Sequence, residues 1–300
     1  MYNIIENNSN QLEAAVIITG ISDEAGKDIK TQIKAHKDLG WDYLELRLVN
    51  GKNASGALSD AEFDETKREI ETSGMKVAAF GSAIGNWSRH INDDFSTDLS
   101  DLKITAKRMK SLGAKYVRIM TWKGDGVELS HWRKEAIRRC KELSKIAEDE
   151  GIILAHENCT GWGGLSADNM IELKHEVGSK NFVLLFDTGN VTSYGMDVDK
   201  FFNGIRKHLS YIHIKDAKNA AVTKSNSSFT YPGEGDAKIP EILRTVLLED
   251  KYDGFISIEP HVSAIVHAGA AGAAPDPEHL YKSYIKYGSM LKDIVAKIKK

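Results

Sequence analysis

Eight short apolar, β-branched runs punctuate the 300-residue sequence, and their recurrence limits the possible folds more than any other feature. They are AVIITG from Ala15, YLELRLV from Tyr43, KVAAFG from Lys76, YVRIMTW from Tyr116, IILAHEN from Ile152, FVLLFDTGN from Phe182, YIHIKD from Tyr211 and FISIEPH from Phe255. Between them apolar residues recur at helical spacing, as in SDLKITAKRMKSLG from Ser100 and HWRKEAIRRCKELSKIAEDEG from His131, each stopped by a glycine. Runs starting about 25 to 45 residues apart and alternating with helices predict parallel strands joined by outer helical crossovers. Eight such units in a chain of this length predict a (β/α)8 TIM barrel. A doubly wound open sheet is the competing architecture, but IITGISDEAG lacks the glycine-rich dinucleotide turn expected after its first strand. No proline-rich or glycine-serine linker divides the chain, so residues 1–300 are expected to form a single α/β domain with 1–14 as an N-terminal tail.

With 41% hydrophobic and 28% charged residues, the chain can bury a substantial core without staples. A net charge of -3 with interspersed signs offers no basic face for a phosphate backbone, which argues against nucleic acid. Cys140 and Cys159 match no zinc or redox spacing and read as reduced thiols. The opening stretch has neither a basic region nor an apolar core, and no segment approaches a membrane span, so a cytoplasmic protein without a membrane partner is expected. A homo-oligomer stays open.

The chemistry lies at the strand ends. The fifth run ends at Glu157, the sixth at Asp187, the seventh carries His213 and the eighth ends at Glu259. Strand alternation puts Tyr211 with His213 and Ser257 with Glu259 on one face, so the polar residues can point into the barrel while the flanking isoleucines face the helices. Taken singly, each has a plain explanation: Asp187 as a turn former, His213 as a core histidine, Glu157 as a loop acid. Converging at one barrel mouth, three carboxylates repel and cannot all stay ionised without a compensating cation. One divalent ion is the natural compensation, and oxygen ligands with one imidazole suit Mn2+, Mg2+, Co2+ or Zn2+ without choosing among them.

The set HEN, FDTGN, HIKD and SIEPH, with GEGD before the seventh helix, resembles the sugar isomerase/epimerase family with the xylose-isomerase-like barrel. The likeness spans nearly the whole chain and is strongest from Ile152 to His261. It implies that Glu157, Asp187, His213 and Glu259 hold one divalent ion and that Glu157 and Glu259 also move protons. The implied reaction is isomerisation or epimerisation of a sugar through an enediolate. Asn190 and Lys218 stand where many epimerases have histidine and arginine. HENCTGWGG and the histidine of EPH resemble instead the branch that cleaves oxo-glycosides, so β-elimination on a 3-keto-glycoside or inosose is the alternative. A non-catalytic metal-binding partner subunit is a third reading; the endonuclease relatives are disfavoured by charge and by too few clustered histidines.

Further residues fill out the expected substrate site. Glu45 and Arg47 share the inward parity of the second strand, and Lys215 points inward two residues past His213. Trp122, Trp162 and Trp87 follow strands and could stack on a sugar ring. Asn190 and His261 complete the substrate-binding set, and His156, of opposite parity to Glu157, is expected behind it. Glu234 among the GEGD glycines would repel phosphate, and Asp236 reads as a helix N-cap, so the expected partner is an unphosphorylated sugar, cyclitol or glycoside. The acids of SDEAGKD likewise read as helix-start residues.

Overall fold

The computed structural model describes residues 16–219, 229–263 and 276–299. The expected tail lies outside the described residues, as do 220–228 and 264–275. Each apolar run contributes one barrel strand: β1 (Ile17–Gly20), β2 (Tyr43–Leu46), β3 (Lys76–Gly81), β4 (Tyr116–Thr121), β5 (Ile153–Gly161), β6 (Phe182–Asp187), β7 (Leu209–Ile214) and β8 (Phe255–Ile258). All neighbours pair in parallel, in the order β1-β8-β7-β6-β5-β4-β3-β2. The seam between β1 and β2 is held by a bridge from Ile21 to Glu45 and by Thr19 Oγ1 donating to the Tyr43 carbonyl at 2.8 Å. The result is the expected (β/α)8 barrel.

The crossovers are α1 (Ile29–Asp38), α2 (Asp60–Ser73), α3 (Ser96–Leu112), α4 (Leu129–Glu150), α5 (Ala167–Val177), the pair α6 (Thr188–Ser193) and α7 (Val198–Ile205), α8 (Ile239–Arg244) and α9 (Pro277–Ile298). Gly113 and Gly151 end α3 and α4 in the left-handed region, as the sequence suggested, because glycine, lacking a Cβ, enters it with the least steric cost. Local chemistry departs from expectation after β7. Asp236 is not a helix cap: Lys238 precedes α8, and Asp236 Oδ2 accepts from the Asn219 amide at 2.8 Å. Asp216 accepts the amides of Gly233, Gly235 and Ala237 and so ties down the loop beyond the short pair Asp216–Ala217 with Phe229–Thr230.

Two interiors result. Outward strand residues such as Ile212, Ile214 and Leu154 are fully buried against the helices; each such side chain contributes about 1.5 to 3 kcal/mol of burial. Inside the barrel, Ala79, Ala155, Leu185 and Tyr211 form a separate small core. Tyr211 continues into an aromatic floor, packed edge-to-face or stacked with Tyr116 and Phe255, and Phe255 in turn meets Tyr43. Charge is thereby confined to the upper layers, where the strands end.

Candidate metal centre

Register builds the centre. Asp187 lies beside His213, His213 beside Ser257, and Glu157 beside Leu185, so Glu259 rises one inward position above Ser257. One ligand atom from each of Glu157, Asp187, His213 and Glu259 lies within 4.8 Å of the others, and all four residues are buried. His213 Nδ1 is 3.2 Å from Glu157 Oε1 and 3.4 Å from Glu259 Oε2. Its other nitrogen, Nε2, is 3.1 Å from Glu45 Oε2. Nδ1 is therefore the nitrogen that faces Glu157 and Glu259, with Glu45 fixing the ring from behind.

Each carboxylate keeps one oxygen for the centre. Asp187 Oδ1 accepts the Asn190 amide at 2.7 Å, which makes Asp187 the N-cap of α6 as well as a ligand candidate. Glu259 Oε1 accepts from Arg47 Nη1 at 3.0 Å. The remaining oxygens, Asp187 Oδ2, Glu259 Oε2 and Glu157 Oε2, are buried and receive no directed hydrogen bond. Buried acceptors left this way are costly unless a cation completes them. The nearest protein cations are Lys215 Nζ, 2.9 Å from both Asp187 Oδ2 and Glu259 Oε2, and Arg118 Nη1, 3.4 Å from Glu157 Oε2.

The local charge is uneven. Six carboxylates, those of Asp23, Glu24, Glu45, Glu157, Asp187 and Glu259, face three permanent cations, Arg47, Arg118 and Lys215, and two imidazoles, His213 and His261. Burial, with Glu259 and Glu157 beside it, pushes the Asp187 carboxyl up to about 8 against the pull of Lys215. Burial also opposes the charged form of His213, yet Glu45, Glu157 and Glu259 outweigh it and hold the imidazole well above its ordinary value. The acids outnumber the positive groups that face them, and Asp187 is the one whose charged form burial and its neighbours oppose most. An oxygen-rich donor set with three undirected oxygens and an oriented imidazole fits a divalent ion.

The other expected site residues divide. Lys215 reaches the cluster, and Gly189 lets it: a Cβ there would stand 2.6 Å from Lys215 Cγ. Asn190 Oδ1 accepts from Lys215 Nζ at 3.2 Å, so Asn190 acts through the lysine. Arg47 is bound to Asp23 and Glu24 as well as Glu259. His261 Nδ1 lies 2.8 Å from Glu24 Oε1, and its Nε2 is 3.6 Å from Glu259 Oε1. Glu24, Glu259 and His261 also lie within reach of one ion, but Arg47 already binds both of those carboxylates.

Glu45 is fully buried beside His213 and accepts from Tyr211 Oη at 2.9 Å and Ser257 Oγ at 2.7 Å, so its oxygens are occupied by the protein itself. Trp122 is fully buried on the helix side, where its indole N–H donates to Asp98 Oδ2 at 2.8 Å and its ring meets Phe95. Trp162 packs into the outer core beneath the Arg133 guanidinium of α4. In both tryptophans the large apolar ring gains more from burial between strand and helix than from exposure at the mouth. Trp87 is half-buried after β3, and His156 stacks on Phe182 behind Glu157.

Sequence reasoning missed Arg118, took Tyr211 and Ser257 only as inward neighbours of His213 and Glu259, and read Asp23 and Glu24 only as helix-start acids. The inward parity of Arg118 in an apolar strand was an available signal. Asp23 and Glu24 had none, since turn acids look alike; Asp28 caps α1, whereas these two turn toward Arg47 and His261.

One prediction belongs to this geometry. Glu45→Gln places an amide group among the Tyr211, Ser257 and His213 donors and frees the imidazole to rotate. Divalent-ion affinity, read by titration calorimetry with Mn2+ or Zn2+, is expected to fall about 10- to 100-fold; an unchanged affinity removes Glu45 from ion binding.

Fold and centre together define a TIM barrel with a metal-type carboxylate-histidine cluster at the C-terminal ends of its strands. The chain belongs to the family described as xylose isomerase-like TIM barrel, whose model matches residues 33–284. It is 26% identical over 130 residues to an inosose dehydratase of Clostridium beijerinckii, a match covering 39% of this chain and 43% of that protein. An inosose dehydratase of Mesomycoplasma hyopneumoniae is 23% identical over 216 residues, covering 64% of this chain and 70% of its own. The first of these matches thus spans under half of the relative's length. Among solved structures, the probable 3-DHS dehydratase AsbF of Bacillus anthracis superposes with a TM-score of 0.70 at 16% identity, covering 93% of this chain and 98% of that one. The IOLI protein with a bound zinc atom gives 0.69 at 18%, covering 94% and 99%. The 3-keto-D-glucoside 4-epimerase YcjR of E. coli gives 0.66 at 17%, covering 91% and 99%. These structural likenesses show the fold. Among the described residues, no helix is long and apolar enough to cross a membrane.

Proposed function

We propose that this chain is a divalent-metal-dependent enzyme that removes a proton beside the carbonyl of an unphosphorylated keto-cyclitol or keto-sugar and expels water from the neighbouring carbon. The observation that carries the reading is the convergence of Glu157, Asp187, His213 and Glu259 within 4.8 Å, with His213 oriented by Glu45. A bound divalent ion supplies Lewis-acid polarisation of a carbonyl and its adjacent hydroxyl, lowering the cost of the enediolate that follows proton loss.

The chain's own groups supply the rest. Glu157 and Glu259 rise from β5 and β8, three staves apart in the barrel, so one carboxylate can take the C–H proton while the other serves the far side of the substrate. Lys215 and His261, both beside Glu259, are the donors available to a departing hydroxyl, which leaves as water once protonated. The aromatic floor beneath Glu45 keeps bulk water from the underside of the centre. Dehydration is favoured over isomerisation by the curated relatives named inosose dehydratase. The second reading, isomerisation or epimerisation, uses the same two glutamates, returning the proton instead of losing hydroxide, and is supported by the likeness to a keto-glucoside epimerase.

The test is incubation in heavy water with Mn2+, Mg2+, Co2+ or Zn2+ and, in turn, an inosose, a 3-keto-glucoside and a free ketose, followed by NMR. Loss of water with a new ultraviolet-absorbing unsaturated carbonyl is expected with the inosose. Deuterium entering an intact skeleton selects the isomerase reading. Absence of exchange and elimination with every pair overturns both.

A further inference from the structure

Lys215 stands apart from the other cations of the centre. Arg47 is fixed by hydrogen bonds to Asp23, Glu24 and Glu259 Oε1, and Arg118 Nη2 donates to the Ser82 carbonyl at 3.0 Å. Lys215 Nζ instead lies 2.9 Å from Asp187 Oδ2 and 2.9 Å from Glu259 Oε2, neither of which receives a directed hydrogen bond. Those are the inner oxygens of two ligand candidates, since the outer ones are taken by the Asn190 amide and Arg47. The lysine and a divalent ion therefore draw on the same two oxygens. Its tether is Asn190 Oδ1, 3.2 Å away, and the Asn190 side-chain amide is in turn held by the Asn158 carbonyl at 2.9 Å.

We propose that Lys215 is a built-in counter-cation that competes with the divalent ion for Asp187 and Glu259, so that this one side chain sets the affinity of the centre. This rests on the reading that the four residues hold an ion. Two effects act in the same direction. With its ammonium in place, the carboxylates are held together and their mutual repulsion is relieved, so an incoming ion gains less. Once the ion binds, the ammonium stays tethered nearby as a like charge and weakens it further. The length of the side chain and its anchor on Asn190 allow Nζ to leave the two oxygens without leaving the site, where it then meets a substrate oxygen rather than a carboxylate. Direct competition of this kind keeps the ion exchangeable and makes substrate, which offers Lys215 a new partner, a tightener of ion binding.

Titration calorimetry of Mn2+ into chelator-treated protein tests it, with the ion-induced rise in melting temperature as a second readout. Lys215→Met is expected to bind Mn2+ at least tenfold tighter than wild type and to gain more in melting temperature on ion addition. Lys215→Arg, which keeps the charge, should bind no tighter than wild type. If Lys215→Met does not fold without ion, Lys215→Gln, which can keep the bond to Asn190, takes its place with the same expected tightening. Equal or weaker binding in the neutral variant, with wild type binding normally, overturns the competition and leaves the metal centre standing. Failure of every form to bind Mn2+, Mg2+, Co2+ or Zn2+ overturns the metal reading and the competition with it.

Discussion

Replacing Glu259 by glutamine is expected to slow solvent exchange of the substrate C–H proton by about 10^2- to 10^4-fold, the usual span for loss of a positioned general base. Glu259 is 1% exposed, with Oε1 on Arg47 and Oε2 between Lys215 and His213, and the amide fills the same volume. The fold should therefore survive, which a cooperative melt near the wild-type temperature would show. Burial opposes ionisation of Glu259, but Lys215, His261 and His213 outweigh it and hold the carboxylate well below its ordinary range, which favours the charged form an ion would need. The substituted amide has neither the negative charge for the ion nor the basicity for the proton, and calorimetry should show weaker ion binding alongside the lost exchange. Undiminished exchange in a folded Glu259→Gln protein would remove Glu259 from the mechanism.

The second large effect is on stability. Arg47→Met deletes the cation that binds Asp23, Glu24 and Glu259, all of which are buried or nearly so. Removing one partner of a buried charge network leaves uncompensated charge, at a cost of about 3 to 5 kcal/mol. Methionine replaces the apolar stem that packs on Gly81, so the loss reports charge more than volume. Urea unfolding of wild type and variant at neutral pH measures it, and a loss below about 1 kcal/mol would show that the acids find other compensation.

Arg47 also illustrates how far the sequence could be read. Its inward parity was legible from YLELRLV, and so was that of Glu45, but the same parity covers a substrate contact and a structural ion pair. The partners that separate the two, Glu24 and Asp23 for Arg47 and His213 for Glu45, lie 23, 24 and 168 residues away. Trp122 and Trp162 could not be placed from the sequence for a related reason. Position after a strand end does not specify which side of the barrel wall a ring takes, and at Trp122 a left-handed backbone with φ of 54° goes with a ring turned toward α3.

The eight strands, their parallel order and the delivery of Glu157, Asp187, His213 and Glu259 to one end of the sheet were determined by the sequence itself. Strand and helix periodicities are local, and a barrel forces every strand to end on the same rim. What only the tertiary structure decided is which charges meet there. Closure and stagger carry Arg118 to Glu157, Glu24 to His261 and Lys215 between Asp187 and Glu259. Electrostatic contact depends on a few ångströms across the barrel, a distance that no spacing along the chain encodes.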